Sequence, residues 1–211
     1  MRRLPVYILI DTSGSMYGEP IEAVKNGLQV LLSTLQSDPY ALETAYLSII
    51  TFSDFAQQVV PLTEINSVTA PIMNAGGCTA LGQALELVAS KIETEVQKST
   101  DQVKGDWKPL VFIMTDGVPT DSISNGIKKL RSVKTGIVVA CAAGDADTSI
   151  LKSITENVVE LATTDSETIK AFFKWVSASV SAGSQKIDEG GAESSSMDEL
   201  PPPPEEINVV I

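Results

Sequence analysis

The feature that most limits what this chain can fold into is an apolar run at residues 6–10 (Val-Tyr-Ile-Leu-Ile) that stops at a carboxylate. An unbroken run of this kind fits a parallel strand buried on both faces, since a half-exposed strand would alternate. Behind it stand Asp11, Ser13 and Ser15, three oxygen-bearing side chains at alternate positions, with Gly14 free to turn between them. In open α/β sheets, sites form outside the carboxyl ends of the strands. The run therefore delivers one carboxylate and two hydroxyls to a single point. Hard oxygen ligands suit Mg2+, with Mn2+ or Ca2+ as alternatives, rather than zinc. Taken alone, the Asp-x-Ser-x-Ser spacing is a weak signal.

The remainder of the chain supplies the context. A second unbroken apolar run, residues 110–114, also ends on acid, as Thr115-Asp116-Gly117. Helical periodicity marks residues 19–35, opened by Glu19-Pro20 and ended by Asp38-Pro39, and residues 81–96, preceded by Gly76-Gly77-Cys78-Thr79. Strands at 45–52 and 57–62 are joined so tightly that they form an antiparallel hairpin at the sheet edge. Further on come a helix from Asp121 or Ser122 to Arg131 and a strand at 136–141. A short helix capped by Asp147-Thr148, a strand at 158–161 and a closing helix from Asp165 or Ser166 complete the pattern. Strands alternating with helices require βαβ crossovers. The expected fold is a doubly wound α/β domain over residues 1–182, a mostly parallel six-stranded sheet with one antiparallel edge strand and helices on both faces.

Residues 183–211 are Gly-, Ser- and Glu-rich and then carry four consecutive prolines, the composition of a flexible acidic tail. Its apolar end, residues 207–211, has two readings: incidental residues, or a docking peptide that adds to a sheet edge. The net charge is −12, and the tail contributes seven acids against one Lys. Nothing in this balance offers a footprint for nucleic acid. No apolar run is long enough for membrane insertion. Two cysteines make no disulfide framework, so a cytoplasmic setting is expected. The chain has no histidine, which removes Ser-His-Asp, Cys-His and His-metal chemistry together.

Right-handed crossovers place the first strand beside the 110–114 strand where the winding reverses. That brings Asp11 and Asp116 to one crevice, with Thr79 reaching it from the loop above. Two carboxylates and three hydroxyls balance a divalent cation and leave a coordination position for a partner's carboxylate. Asp11-Thr-Ser13-Gly-Ser15, Thr79 in its Gly-Gly-Cys-Thr loop and Thr115-Asp116-Gly117 together resemble the metal-ion-dependent adhesion site (MIDAS) of von Willebrand factor A domains. Residues 2–7, 38–46 and 105–112 look closer still to the small bacterial TerY-type proteins of tellurium-resistance and stress-response gene clusters. The resemblance implies that Ser13 and Ser15 bind Mg2+ directly, that Asp11 and Asp116 act directly or through water, and that Thr79 binds when a ligand is engaged. Gly14, Met16, Gly77, Cys78 and Gly117 would surround the metal as the partner-binding surface. It also implies a protein partner supplying Glu or Asp, such as a kinase, a phosphatase or another protein of the tellurium-resistance cluster.

Simpler readings stand beside these. Asp11, Asp116 and Thr79 can be helix caps. Cys78 can be a packed thiol or a redox sensor, and Asp145 and Asp147 can be turn residues or an extension of the site. Residues 194–196 can be linker or phosphorylation sites. A Mg2+-dependent phosphatase needs a second Asp where Ser13 stands, so no enzyme is expected. The remaining alternative is a scaffold that works through its tail. A tail carboxylate from Asp188, Glu189, Glu193, Asp198 or Glu199 is also a candidate to cap the metal as a tethered competitor.

Overall fold

The structure, a computed structural model, describes all residues except 1, 145, 162, 194, 195 and 211. The readings for Asp145, Ser194 and Ser195 lie outside the described residues. Residues Leu4–Asp11 form β1, buried at every position. Its alternate side chains serve two cores: Leu4, Val6, Ile8 and Ile10 on one face, Tyr7 and Leu9 on the other. After β1 come α1 (Glu19–Leu35), α2 (Pro39–Thr44), β2 (Ala45–Phe52) and β3 (Ala56–Glu64). Then follow α3 (Leu81–Glu95), β4 (Leu110–Thr115), α4 (Ser124–Ser132), β5 (Val138–Ala143), α5 (Thr148–Ile154), β6 (Val158–Leu161), α6 (Ser166–Asp188) and β7 (Ile207–Val210). The strand order is β3-β2-β1-β4-β5-β6-β7, with β1 parallel to both β2 and β4. Helices α1, α2 and α6 cover one face and α3, α4 and α5 the other. The winding reverses at β1, so β1 and β4 end side by side at the same edge.

Three local expectations change. Asp38 does not merely end α1. Its carboxylate accepts from the Tyr40 and Ala41 amides and, with Pro39 behind it, starts α2 as a new helix. β5 begins at Val138 because Gly136 is used in a turn, its amide bonded to the Pro109 carbonyl. Helix α6 runs on to Asp188, past the boundary expected at residue 182, with Ser184 and Ile187 still buried.

The largest difference is in the segment after α6. The sheet has seven strands, not six, because Ile207–Val210 returns and pairs antiparallel with β6, Leu161 opposite Ile207 and Val158 opposite Val210. This is the sheet-edge reading of the apolar end, satisfied within the chain's own sheet. On the way, Leu200 is buried, the Trp175 indole N–H donates to the Pro201 carbonyl at 2.8 Å, and a capped 3-10 turn forms at Met197–Glu199. Glu193 meets Arg2 at 2.7 Å and Lys108 at 3.8 Å, and Glu199 meets Lys186. Arg2 and Lys108 lie at the start of β1 and β4, the edge opposite Asp11. Within one chain, those carboxylates are therefore held away from the crevice and do not cap it.

A chain ending after Glu206 is expected to leave β6 as a bare edge. Loss of Ile207 burial costs about 1.5–3 kcal/mol. At about 2–4 °C per kcal/mol the melting temperature falls by several degrees. Hydrogen exchange at Val158–Leu161 checks this: protection there that survives the truncation would mean β7 adds nothing to the sheet.

Candidate metal centre

The five oxygen-bearing residues come from three loops at the carboxyl edge. Asp11 ends β1 with its side chain wholly buried, accepting the Ser13 amide on Oδ1 at 2.8 Å and the Thr115 hydroxyl on Oδ2. A 3-10 turn at Gly14–Met16 then folds the chain back on itself. The Ser13 and Ser15 hydroxyls lie 3.0 Å apart, and the Ser15 hydroxyl donates to Asp116 Oδ1 at 2.6 Å. Asp116 leaves the end of β4. Thr79 joins from the loop before α3: a Cβ placed on Gly117 would lie 3.5 Å from Thr79 Oγ1 and 3.6 Å from Ser15 Oγ. The structure therefore gathers Asp11, Ser13, Ser15, Thr79 and Asp116 in one cluster.

Thr79 is not the cap of α3. The N-cap position is Ala80, and the free amides of Gly82 and Gln83 are taken by the Asp121 carboxylate, both at 2.9 Å. This also corrects the role expected for Asp121, which does not start α4. Among the described residues the Thr79 hydroxyl makes no hydrogen bond, although the residue is buried. Its backbone is clamped to the β4–α4 loop, with the Thr79 amide on Thr120 Oγ1 and the Thr120 amide on the Thr79 carbonyl, both at 3.0 Å.

The surrounding residues divide. Gly14, Gly77 and Cys78 are exposed and Gly117 is half-buried. The Gly14 amide donates to the Gly77 carbonyl at 3.0 Å, which ties the first two loops together. Gly77 holds φ at +81°, a conformation that disfavours any other residue. Met16, expected on the partner face, is fully buried in the core beneath the turn. The alternation of the turn sends Tyr17 outward instead, 80% exposed.

Two supports were not foreseen. Thr115 orients Asp11, and Asp54, from the β2–β3 turn, accepts the Cys78 amide at 2.9 Å and so braces the Gly77-Cys78 loop. Alternating hydroxyls beside an acid hint at the first. Nothing local signals the second, since Asp54 acts across 24 residues.

Electrostatically the cluster is in deficit. Burial pushes the Asp11 carboxyl above its ordinary value, against the Ser13 and Thr115 hydrogen bonds that lower it, and the Asp116 charge adds to the rise. Burial likewise raises Asp116, opposed by the Ser15 hydrogen bond. Among the described residues neither carboxylate is paired with a Lys or Arg. The segments that follow the strands at this edge contain no basic residue at all. A set of two unpaired carboxylates and three hydroxyls, all hard oxygens, fits a divalent cation.

A model of the von Willebrand factor type A domain matches residues 6–175. Inter-alpha-trypsin inhibitor heavy chain H6 of Homo sapiens is 29% identical over 164 residues, which cover 71% of this chain and 12% of that protein. An uncharacterized protein of Synechocystis is 30% identical over 139 residues, 63% of this chain and 30% of that one. Among solved structures, a von Willebrand factor type A protein from Catenulispora acidiphila superposes with a TM-score of 0.65 at 19% identity, over 86% of this chain and 43% of its own. Proximal thread matrix protein 1 from the mussel byssus, whose MIDAS motif is zinc-occupied, superposes with a TM-score of 0.58 at 18% identity, over 84% of this chain and 48% of its own. The chain thus spans under half the length of each of these relatives.

Proposed function

The chain belongs to the von Willebrand factor type A domain family, and from that premise we propose that it is a metal-dependent protein-binding module. Asp11, Ser13, Ser15, Thr79 and Asp116 would hold a divalent cation, and the cation supplies an electrophilic position for an anionic oxygen of a protein partner. The observation that carries this reading is the pair of buried or half-buried carboxylates with no basic partner. An unpaired buried charge is costly, and at an edge without Lys or Arg a cation is the group that would offset it.

Mg2+ is the proposed ion on ligand hardness, and zinc joins the test because the mussel protein carries it in the same motif. The partner is proposed to be a cytoplasmic protein offering Glu or Asp, a kinase, phosphatase or other component of a bacterial tellurium-resistance or stress-response system. That setting rests on the resemblance at residues 2–7, 38–46 and 105–112. No helix among the described residues is long and apolar enough to cross a membrane. The phosphatase alternative lacks its second carboxylate, because Ser13 occupies that place. The tail-scaffold alternative loses its premise, since the segment is tied down through Glu193, Leu200, Pro201 and β7.

Calorimetric titration of Mg2+, Mn2+, Ca2+ and Zn2+ tests the site, run with and without acetate as a carboxylate probe. Affinity is expected to fall by about tenfold in Ser13→Ala and about a hundredfold in Asp116→Ala, in line with the dependence of such sites on ligand charge. Both variants should keep the circular dichroism of the parent. Equal affinity in parent and variants, or no heat in the parent with acetate present, rejects the metal centre.

A further inference from the structure

We infer that the metal edge selects a partner segment in which one carboxylate is flanked by apolar and basic residues, and that it rejects polyacidic segments. The inference rests on the metal-centre reading above and adds the chemistry around the anchoring acid.

Three large apolar side chains stand out in solvent beside the cluster: Tyr17 at 80%, Phe55 at 60% and Val118 at 56% exposure. Each is positioned by a loop that builds the centre. Tyr17 lies two residues beyond Ser15, Val118 two beyond Asp116, and Phe55 next to Asp54, whose carboxylate holds the Cys78 amide. Exposed apolar side chains, two of them aromatic, on the same hydrogen-bonded loops that carry or brace the centre, are the composition of an interface centre and not of an ordinary solvated rim.

Charge selects the occupant further. The residues following the strands at this edge hold Glu19, Asp54, Asp121, Asp147 and Asp165 and no Lys or Arg. The basic residues sit elsewhere, with Arg2, Arg3 and Lys108 at the opposite edge, where the tail's own Glu193 is bound. A single carboxylate reaching the cation meets a positive centre. Additional acids on the same segment would meet this acidic rim within a Debye length of about 8–10 Å. Lys or Arg on the segment would be drawn to it.

A displayed peptide library with a fixed central Glu and randomised flanks tests this. The full chain selects in Mg2+, with parallel selections in chelator and with Asp11→Asn. Enriched flanks should be apolar and basic, and enrichment should vanish in chelator and in Asp11→Asn. Binding of the enriched peptides should fall at least about tenfold in the triple variant Tyr17→Ser/Phe55→Ser/Val118→Ser, whose exposed positions leave the fold unaffected. Tyr17→Phe should retain binding, and calorimetric affinity for Mg2+ should stay within about twofold in the triple variant. Metal-dependent enrichment of acidic or featureless flanks, or peptide binding untouched by the triple variant, overturns this inference and leaves the metal centre standing. Enrichment that persists in chelator and in Asp11→Asn overturns the metal centre itself. No enrichment overturns the inference. Binding to phosphatidylcholine vesicles that the triple variant abolishes would assign the apolar group to a lipid surface and overturn it as well.

Discussion

Replacing Asp11 with Asn is expected to abolish divalent-cation binding while leaving the metal-free protein at least as stable as the parent. The carboxylate is wholly buried, and its partners are a neutral amide and a neutral hydroxyl, Ser13 N and Thr115 Oγ1. Asn preserves the geometry: its oxygen still accepts the Ser13 amide, and its NH2 donates to Thr115 Oγ1, which is free to rotate its proton toward the Gly117 carbonyl at 3.4 Å. The charge alone is removed. Burial first, and the Asp116 charge after it, raise the folded carboxyl above its ordinary 3.8. A raised carboxyl contributes stability that is complete below the unfolded value and disappears as pH rises through the folded value. Above the folded value the metal-free parent therefore carries the full penalty and the Asn variant carries none.

The melting-temperature difference, variant minus parent, should grow as pH rises from 3.8 through the raised folded value and then level off. Each kcal/mol recovered corresponds to about 2–4 °C. Saturating Mg2+ should reverse the sign, because the cation stabilises only the parent, by RT ln(1 + [L]/Kd). Metal affinity should weaken as pH falls through the same window, where protons compete for Asp11 and Asp116. A loss of about 3–5 kcal/mol in the metal-free variant, the magnitude seen when a buried ion pair is broken, would mean that Asp11 is held by an internal charge and not reserved for a cation.

Much of the frame behind this was legible in the chain. Residues 6–10 and 110–114 are unbroken apolar runs ending on acid, and only a central parallel strand buries both faces, so β1 and β4 and their shared edge could be read directly. Caps that act within one turn were equally plain: Asp147 accepts the Ser149 amide and Asp165 the Thr168 amide. What escaped was pairing decided by tertiary proximity. Asp121 looks like the start of its own helix but serves α3, because the β4–α4 loop is folded against that helix end. Asp54 reads as a turn residue and braces the Gly77-Cys78 loop. The three apolar residues of β7, Ile207, Val209 and Val210, carry the same pattern whether they fray or pair, and the exposed edge of β6 decides between the two. Met16 and Tyr17 are both apolar, and only the pitch of the turn determines which one faces solvent.

The same tertiary junction sets the second large effect, for Gly82→Ala. In an isolated helix the change would be favourable by about 1 kcal/mol. Here the added Cβ would lie 2.3 Å from the Ser122 carbonyl oxygen and 2.9 Å from Asp121 Oδ2, and the Gly82 carbonyl is itself 2.5 Å from the place a Cβ would take on Gly126. Helices α3 and α4 approach through these two glycines, and backbone on both sides prevents easy relief. Overpacking of this kind costs about 1–3 kcal/mol, with the upper end expected where backbone must move. Displacing Asp121 from the Gly82 and Gln83 amides removes a cap worth about 1 kcal/mol more. The unfavourable terms exceed the propensity gain, so urea unfolding should show a net loss of about 1–3 kcal/mol. Gly76→Ala is the control: nothing stands within 4 Å of its added Cβ, and its stability should stay within about 0.5 kcal/mol of the parent. Because the strained loop also carries Thr120, which clamps Thr79, and begins at Asp116, Mg2+ affinity should fall by about tenfold, as for lost outer supports of metal ligands. Stability lost with affinity intact would separate the α3–α4 junction from the metal centre; both lost together would make Gly82 the point where the packing of the fold and the placement of its ligands depend on a single missing side chain.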